Sequence, residues 1–429
     1  MKAEPAAPPP GQAPDTFQVM AKPSGAACNL DCQYCFYLDK AALYGRGTGT
    51  VMSDAVLEAY VSQQIQGQRS SEVVFTWQGG EPTLLGVEFY EKAVALQRRH
   101  GAGRRIINAF QTNGILLDDA WGRFLQRENF LVGLSLDGPR PLHDCSRTDK
   151  AGAPTFDRVM QGLEVLKAHS VEFNTLSVVH RASARQPIEV YRFLKEAGAK
   201  YLQFIPLVER LPGRADETDD LRVAPPLQPG HQFESPPAVT PWSVEAAEYG
   251  FFLTALFDEW LREDVGKVFV QLFDVSLGIW MGRPSGLCLF SPKCGDAVAL
   301  ERNGDVYSCD HFVHPGFKLG NLLQSSLGEL VRSPRQRLFG EAKGDRLPAF
   351  CRGCDVRFAC QGECPKNRFL RAPDGEWGLN YLCAAYQRFF HHVNPVMRQM
   401  AYLALSGRAP AEIMALRGEN GHGGSPMVD

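Results

Sequence analysis

No stretch of ~18 apolar residues occurs in the 429-residue chain, which excludes a membrane-spanning helix. The N-terminus, MKAEPAAPPPGQAPDTF, has one Lys and no apolar h-region. It does not read as a secretory signal, and the expected compartment is the cytoplasm. Charge of one sign is lacking as well: 45 basic residues face 48 acidic ones, leaving no electrostatic footprint for nucleic acid. No internal repeat of fixed period is present. What the chain has is cysteine, twelve in all, and without an export signal such a count points away from disulfides and toward metal. The remainder, 44% hydrophobic and 22% charged, is ordinary globular protein long enough for two or three domains.

Residues 1–14 hold five prolines, and 417–429 (RGENGHGGSPMVD) are Gly-rich and polar, so both ends read as loose. A third weak stretch, 211–240, is rich in Pro and charge and reads as a linker or long surface loop. Before it, strands and helices alternate. The predicted strands are 17–22, 72–77, 104–111, 130–137, 172–179 and 200–208. The predicted helices are 53–65, 87–100, 118–127, 155–170 and 187–197, with a sixth from the apolar pattern at 242–263. Six β–α units with β-branched strands imply a parallel sheet covered by helices, either doubly wound or an incompletely closed barrel. In both, chemistry belongs on the loops at the C-terminal ends of the strands.

The loop after the first strand carries Cys28, Cys32 and Cys35, spaced C-x3-C-x2-C. Three thiolates can hold three irons of a cubane and leave the fourth open, whereas structural zinc wants four closed ligands, the fourth then lying elsewhere. The loop after the second strand is QGGEPT, with Gln78, Gly79, Gly80 and Glu81. Its glycines let backbone approach a ligand closely, and Glu81 offers a carboxylate to an ammonium. Alone such a turn is ordinary; one β–α unit after a three-cysteine loop it carries weight.

This pairing resembles the radical S-adenosylmethionine (SAM) superfamily, whose fold is a partial (β/α)6 TIM-like barrel. The resemblance implies a 4Fe-4S cluster on Cys28, Cys32 and Cys35, whose open iron chelates the cofactor's methionine. It implies that the GGEP loop contacts the ammonium and that Tyr37 borders the adenine. Ser135, at the end of strand four, stands where this family often has a further cofactor contact, although it is equally readable as a strand-end cap.

The second segment carries Cys288, Cys294, Cys309, Cys351, Cys354, Cys360, Cys364 and Cys383, leaving Cys145 over as a small packed or half-exposed thiol. Eight thiols make two four-cysteine sites, of zinc or of iron and sulfur. The run 351–364 ends C-x3-C-P and resembles bacterial ferredoxin runs, in which the last cysteine serves the other cluster. By that likeness Cys364 joins Cys288, Cys294 and Cys309, and Cys351, Cys354, Cys360 and Cys383 form the second set. A hairpin turning at Asn303-Gly304 would bring Cys294 and Cys309 together. The segment resembles the SPASM extension of radical enzymes, with two auxiliary 4Fe-4S clusters.

WQGGEPTLLG, SLDGPRPLHD, VEFNTLSVVH, YLQFIPLVER, NGDVYSCDHFVHP and CPKNRF together resemble the anaerobic sulfatase-maturating enzymes, over residues 17–395 or so. The resemblance implies oxidation of a Cys or Ser in a sulfatase precursor to Cα-formylglycine, through a 5′-deoxyadenosyl radical that takes a Cβ hydrogen. It implies as partners an unfolded sulfatase, or its Cys/Ser-x-Pro-x-Arg segment, and an electron donor such as flavodoxin or ferredoxin. Asp310, directly after Cys309, is the expected proton acceptor, as the Asp of this CDH motif is in the family; its plainer role is to cap cluster-adjacent backbone. His311 is expected to be structural. Two other readings stay open: a radical peptide maturase making, for instance, a thioether crosslink, and a non-enzymatic zinc-dependent binding module. The expected division is 1–16 as a disordered head, 17–241 as the barrel, 242–287 as its last helix and a connector, 288–395 as the SPASM domain, and 396–429 as a C-terminal helix and flexible tail.

Overall fold

The structure, a computed structural model, describes residues 16–43, 51–213, 222–228 and 230–420. The expectations for the head, for part of the 211–240 loop and for the far tail fall outside the described residues. β1 (Gln18–Lys22), β2 (Glu72–Trp77), β3 (Arg105–Thr112), β4 (Leu131–Ser135), β5 (Phe173–Val179), β6 (Tyr201–Pro206) and a short β7 (Phe269–Val270) pair in parallel. They stand side by side in sequence order. A doubly wound sheet would reverse its order partway, so this is barrel winding. The barrel stays open, because the sheet's edges are β7 and β10 (Lys318–Asn321).

Local chemistry explains the helices. Ser53 accepts from the Val56 amide at 3.3 Å and starts the helix Asp54–Gly67. Asp118 accepts from the Trp121 amide at 2.9 Å and starts Asp119–Arg127. One face of β2, with Val73, Phe75 and Trp77, is sealed, and Trp77 meets Tyr90 of the helix Val87–His100 edge to face. The other face, Val74 and Thr76, is half-buried. One side of the sheet is thus packed against helices while the other keeps room.

The second segment does not stand apart. β8 (Ala297–Glu301) pairs in parallel with β1, placing Glu301 beside Lys22, and β9 (Asp305–Tyr307) folds back on β8 around Asn303-Gly304. Two elements of the expected 242–287 connector went unread, β7 and the helix Gln271–Trp280. A single helix, Cys383–Leu405, runs through the expected boundary at 395/396 with Pro395 inside it. Its Phe389 packs on Phe257 and Phe273, so the core is common to both segments. Among the described residues no helix is long and apolar enough to cross a membrane.

Candidate active site and cysteine clusters

The first cysteine loop is fastened from two sides. The Asp31 amide donates to the Thr148 carbonyl at 2.8 Å and the Gln33 amide to Ser146 at 2.9 Å. Tyr34, inside the motif, donates its hydroxyl to Asp137, which also takes two bonds from Arg147 at 2.8 and 3.2 Å. Asp137 is fully buried; burial opposes its charge, but the Arg147 guanidinium outweighs that and holds the carboxyl below its usual range.

From the other side comes the GGEP loop, and here the structure corrects the expectation. Gly80 donates to the Gly25 carbonyl at 2.7 Å and Glu81 to the Ala27 carbonyl at 2.8 Å. A Cβ on Gly80 would overlap the Ala27 carbonyl, and Gly79 has φ +147°. These glycines admit the cysteine loop's backbone rather than a ligand. Glu81 is 1% exposed, and its carboxylate accepts from the Thr83 amide (2.9 Å), the Thr83 and Thr112 hydroxyls (2.6 and 2.7 Å) and the Asn113 amide (2.8 Å). It is committed to fixing this turn, and not free for an ammonium. Gln78 leaves its half-buried side chain without a hydrogen bond among the described residues. Ser135 accepts from Gln111 at 3.2 Å.

Tyr37 also lies elsewhere than expected. Its hydroxyl donates to Glu301, the Lys22 ammonium stands 4.3 Å from its ring centre, and it is 3% exposed. Almost none of the ring is left to border an adenine. It belongs instead to a buried frame that carries Asp310. Lys22, the last residue of β1, forms an ion pair with Asp310 and has Glu301 beside it across the β1–β8 pairing. Burial alone would raise the Asp310 carboxyl; the Lys22 ammonium overrides it and holds the group below the ordinary carboxylate range. Burial pushes Glu301 up to about 7, with Lys22 pulling against it. Asp310 makes no capping hydrogen bond, which removes its plainer role. Burial holds His311 neutral, down at about 4, with its ring against Phe36 and its Nδ1 3.8 Å from the Cys364 sulfur.

The eight later cysteines gather in two groups. The Cys294 amide donates to the Gly340 carbonyl at 3.2 Å, and the β8–β9 hairpin delivers Cys309. Cys288 and Cys294 act on Cys309, and both Cys309 and Cys294 act on Cys364, so these four thiols are neighbours. Cys383, opening its helix, neighbours Cys351, Cys354 and Cys360. Cys145 lies outside both groups, exposed and 3.9 Å from His180 Nε2.

All twelve thiols are free. Burial pushes Cys28 and Cys294 up to about 11, and Cys32, Cys360 and Cys383 up to about 12. Thiols this costly to ionise suit a bound cation that takes the charge. Among the described residues no three His, Cys, Asp or Glu side chains converge to hold a single ion. In a cubane each cysteine serves a different iron, so neighbouring sulfurs need not converge. The surroundings fit an anionic group too. Lys343, 1% exposed, donates to the carbonyls of Cys288 and Leu289, and Arg368 donates only to carbonyls, so neither cation has a carboxylate partner among the described residues. Sequence reasoning missed Lys22, Glu301, Asp137, Arg147, Lys343 and Arg368. The one available signal was Lys22, a charge closing an apolar strand.

Comparison with known proteins agrees with this arrangement. Residues 23–200 match the radical SAM superfamily, and residues 288–355 match the SPASM family, an iron-sulfur cluster-binding domain. The chain is 47% identical over 396 residues to the serine-type anaerobic sulfatase-maturating enzyme of Bacteroides thetaiotaomicron, covering 92% of this chain and 94% of that one. It is 32% identical over 388 residues to the cysteine-type enzyme of Clostridium perfringens, covering 90% and 98%. Among solved structures, native anSMEcpe with bound AdoMet and Cp18Cys peptide superposes with a TM-score of 0.76 at 33% identity, covering 90% and 98%. Streptococcus suis SuiB bound to precursor peptide SuiA shares the fold alone, with a TM-score of 0.57 at 14% identity over 86% of this chain and 76% of that one.

Proposed function

The chain belongs to the anaerobic sulfatase-maturating enzymes of the radical SAM superfamily, and we propose that it performs their oxidation with Asp310 as the proton acceptor. The substrate is a Cys or Ser side chain of a sulfatase precursor and the product is Cα-formylglycine. Taking CH2–OH to CH=O removes one hydrogen atom, one proton and one electron. Three bound 4Fe-4S clusters and S-adenosylmethionine supply the one-electron chemistry, a radical for the hydrogen atom and an acceptor for the electron. Cys28, Cys32 and Cys35 would hold the cofactor-binding cluster. Cys288, Cys294, Cys309 and Cys364 would hold one auxiliary cluster, and Cys351, Cys354, Cys360 and Cys383 the other. Gln78 and Ser135 would contact the cofactor.

The Lys22–Asp310 pair carries this reading. A carboxylate kept ionised beside an auxiliary cysteine, at the C-terminal end of β1, can accept the substrate's proton without first losing one of its own. Lys22 orients it, and Tyr37 and Glu301 hold Lys22. His311, neutral and packed, supports the turn. The 47% likeness to a serine-type relative makes a Ser-x-Pro-x-Arg precursor segment the first substrate to try. Low-potential carriers such as flavodoxin or ferredoxin suit the reductant's role. Because the cofactor and such carriers are cytoplasmic, the reading puts the reaction on an unfolded precursor in the cytoplasm. The peptide-crosslinking alternative keeps only the fold-level likeness to SuiB.

The test is anaerobic reconstitution, addition of S-adenosylmethionine and reductant, and mass spectrometry of Ser and Cys peptides. Loss of two hydrogens from the Ser peptide, with 5′-deoxyadenosine formed, supports the reading. Cofactor cleavage with neither peptide oxidised overturns it.

A further inference from the structure

Two buried cations are not needed for the fold's ion pairs. Lys343 lies on the helix Pro334–Asp345 and is 1% exposed. Its ammonium meets the carbonyls of Cys288 and Leu289, the latter at 2.7 Å. Arg368 donates to the carbonyls of Gly362 (2.8 Å), Lys343 (2.6 Å), Gln361 (2.9 Å) and Glu363 (3.0 Å). The carboxylate of Glu363 is itself taken by the side-chain amides of Asn380 and Asn367. Carbonyls solvate a cation but do not cancel its charge, and buried charge is costly unless something opposite lies nearby. What lies nearby is sulfur. Lys343 faces Cys294, Cys364 and Cys288, all of one group, while Arg368 faces Cys364 and Cys294 and also Cys351 of the other.

We propose that Lys343 and Arg368 raise the reduction potential of the site formed by Cys288, Cys294, Cys309 and Cys364, making that site the more ready electron acceptor. The proposal rests on the radical-enzyme reading, in which both four-cysteine groups hold clusters. Reduction adds one negative charge to a site already anionic through its four thiolates. A fixed positive charge in a dry setting favours the reduced form and lifts the potential. Lys343 does this for one site alone, whereas Arg368 is shared. The reaction needs such an acceptor, because the oxidised side chain must give up one electron after its hydrogen atom and proton have gone.

The experiment is a potentiometric titration, followed by electron paramagnetic resonance, of the anaerobically reconstituted holoenzyme and its Lys343→Gln and Lys343→Met variants. Gln can still donate to the two carbonyls and loses only the charge; Met loses both. Both variants are expected to keep the wild-type iron content and to lower the midpoint of one auxiliary cluster, leaving the other two midpoints in place. Arg368→Gln is expected to lower both auxiliary midpoints. Unchanged midpoints at full iron overturn the proposal, as does an equal shift of all three clusters. Iron lost from both Lys343 variants makes the residue structural and overturns it too. A wild-type protein that takes up no iron overturns the radical reading beneath it, and the proposal with it.

Discussion

Asp310 keeps its charge where little water reaches it, with side chains at 15% exposure for Asp310 and 1% for its partner Lys22. Two substitutions separate its chemistry from its support. Asp310→Asn is nearly isosteric, so Cys309 should hold its place and iron should not fall. The amide cannot take a proton at neutral pH, and formylglycine should drop by roughly a hundredfold or more. 5′-Deoxyadenosine should still form; mass spectrometry and chromatography read the two products side by side. Lys22→Met strands a buried carboxylate, a loss worth about 3–5 kcal/mol when one partner of a buried pair is removed. Its thermal midpoint should fall, and adding Asp310→Asn should recover part of the fall; simple additivity would show that the pair is not coupled. Asp310 was legible because it abuts a cysteine in a motif. Lys22 was not, because a lysine ending a strand reads as solvated charge, and its partners Glu301 and Asp310 lie in the other segment. Glu81 misled in the opposite sense: its sequence position advertises a free carboxylate, while four donors from Thr83, Thr112 and Asn113 absorb it.

Loops rather than strands carry the chemistry here, and the first two loops are built as one piece. The GGEP turn donates two backbone hydrogen bonds into the segment that precedes Cys28. Gly80→Ala would drive a methyl into the Ala27 carbonyl, and backbone on both sides leaves nothing flexible to yield. The variant should lose about one third of the iron, one cluster of three by ligand count, along with all cofactor cleavage. Iron analysis and 5′-deoxyadenosine quantification check this; full iron with normal cleavage would show that the contact relaxes. Most strands and helices were legible to within a few residues, since β-branched runs and Ser or Asp caps mark their ends locally. β7 and the helix Gln271–Trp280 were not. β7 has two residues, too few for any periodicity, and that helix sits in a continuous apolar stretch where helix and strand patterns cannot be told apart.

The whole molecule is less divided than its sequence suggests. Composition changes between the two segments, yet β8 completes β1's hydrogen bonding along five registered pairs, from Gln18↔Ala297 to Lys22↔Glu301. Strand order, which decided for barrel winding, was equally out of reach, because pairing is a property of the folded sheet and not of any strand's own residues. This continuity makes the second segment part of the barrel. Removing it would leave β1 as a bare edge, with Val19 and Ala21 (1% and 0% exposed) losing their cover and with unpaired backbone groups open to other chains. Lys22 would lose both Asp310 and Glu301 at once. A chain ending at residue 287 therefore should not give a soluble, cofactor-cleaving barrel, even though Cys28, Cys32 and Cys35 are all retained. Size-exclusion chromatography, iron content and cofactor cleavage of that truncation measure the effect. A monomeric fragment that keeps about four irons and cleaves S-adenosylmethionine would mean that β1 needs no neighbour, and that the boundary legible in composition is also a boundary in folding.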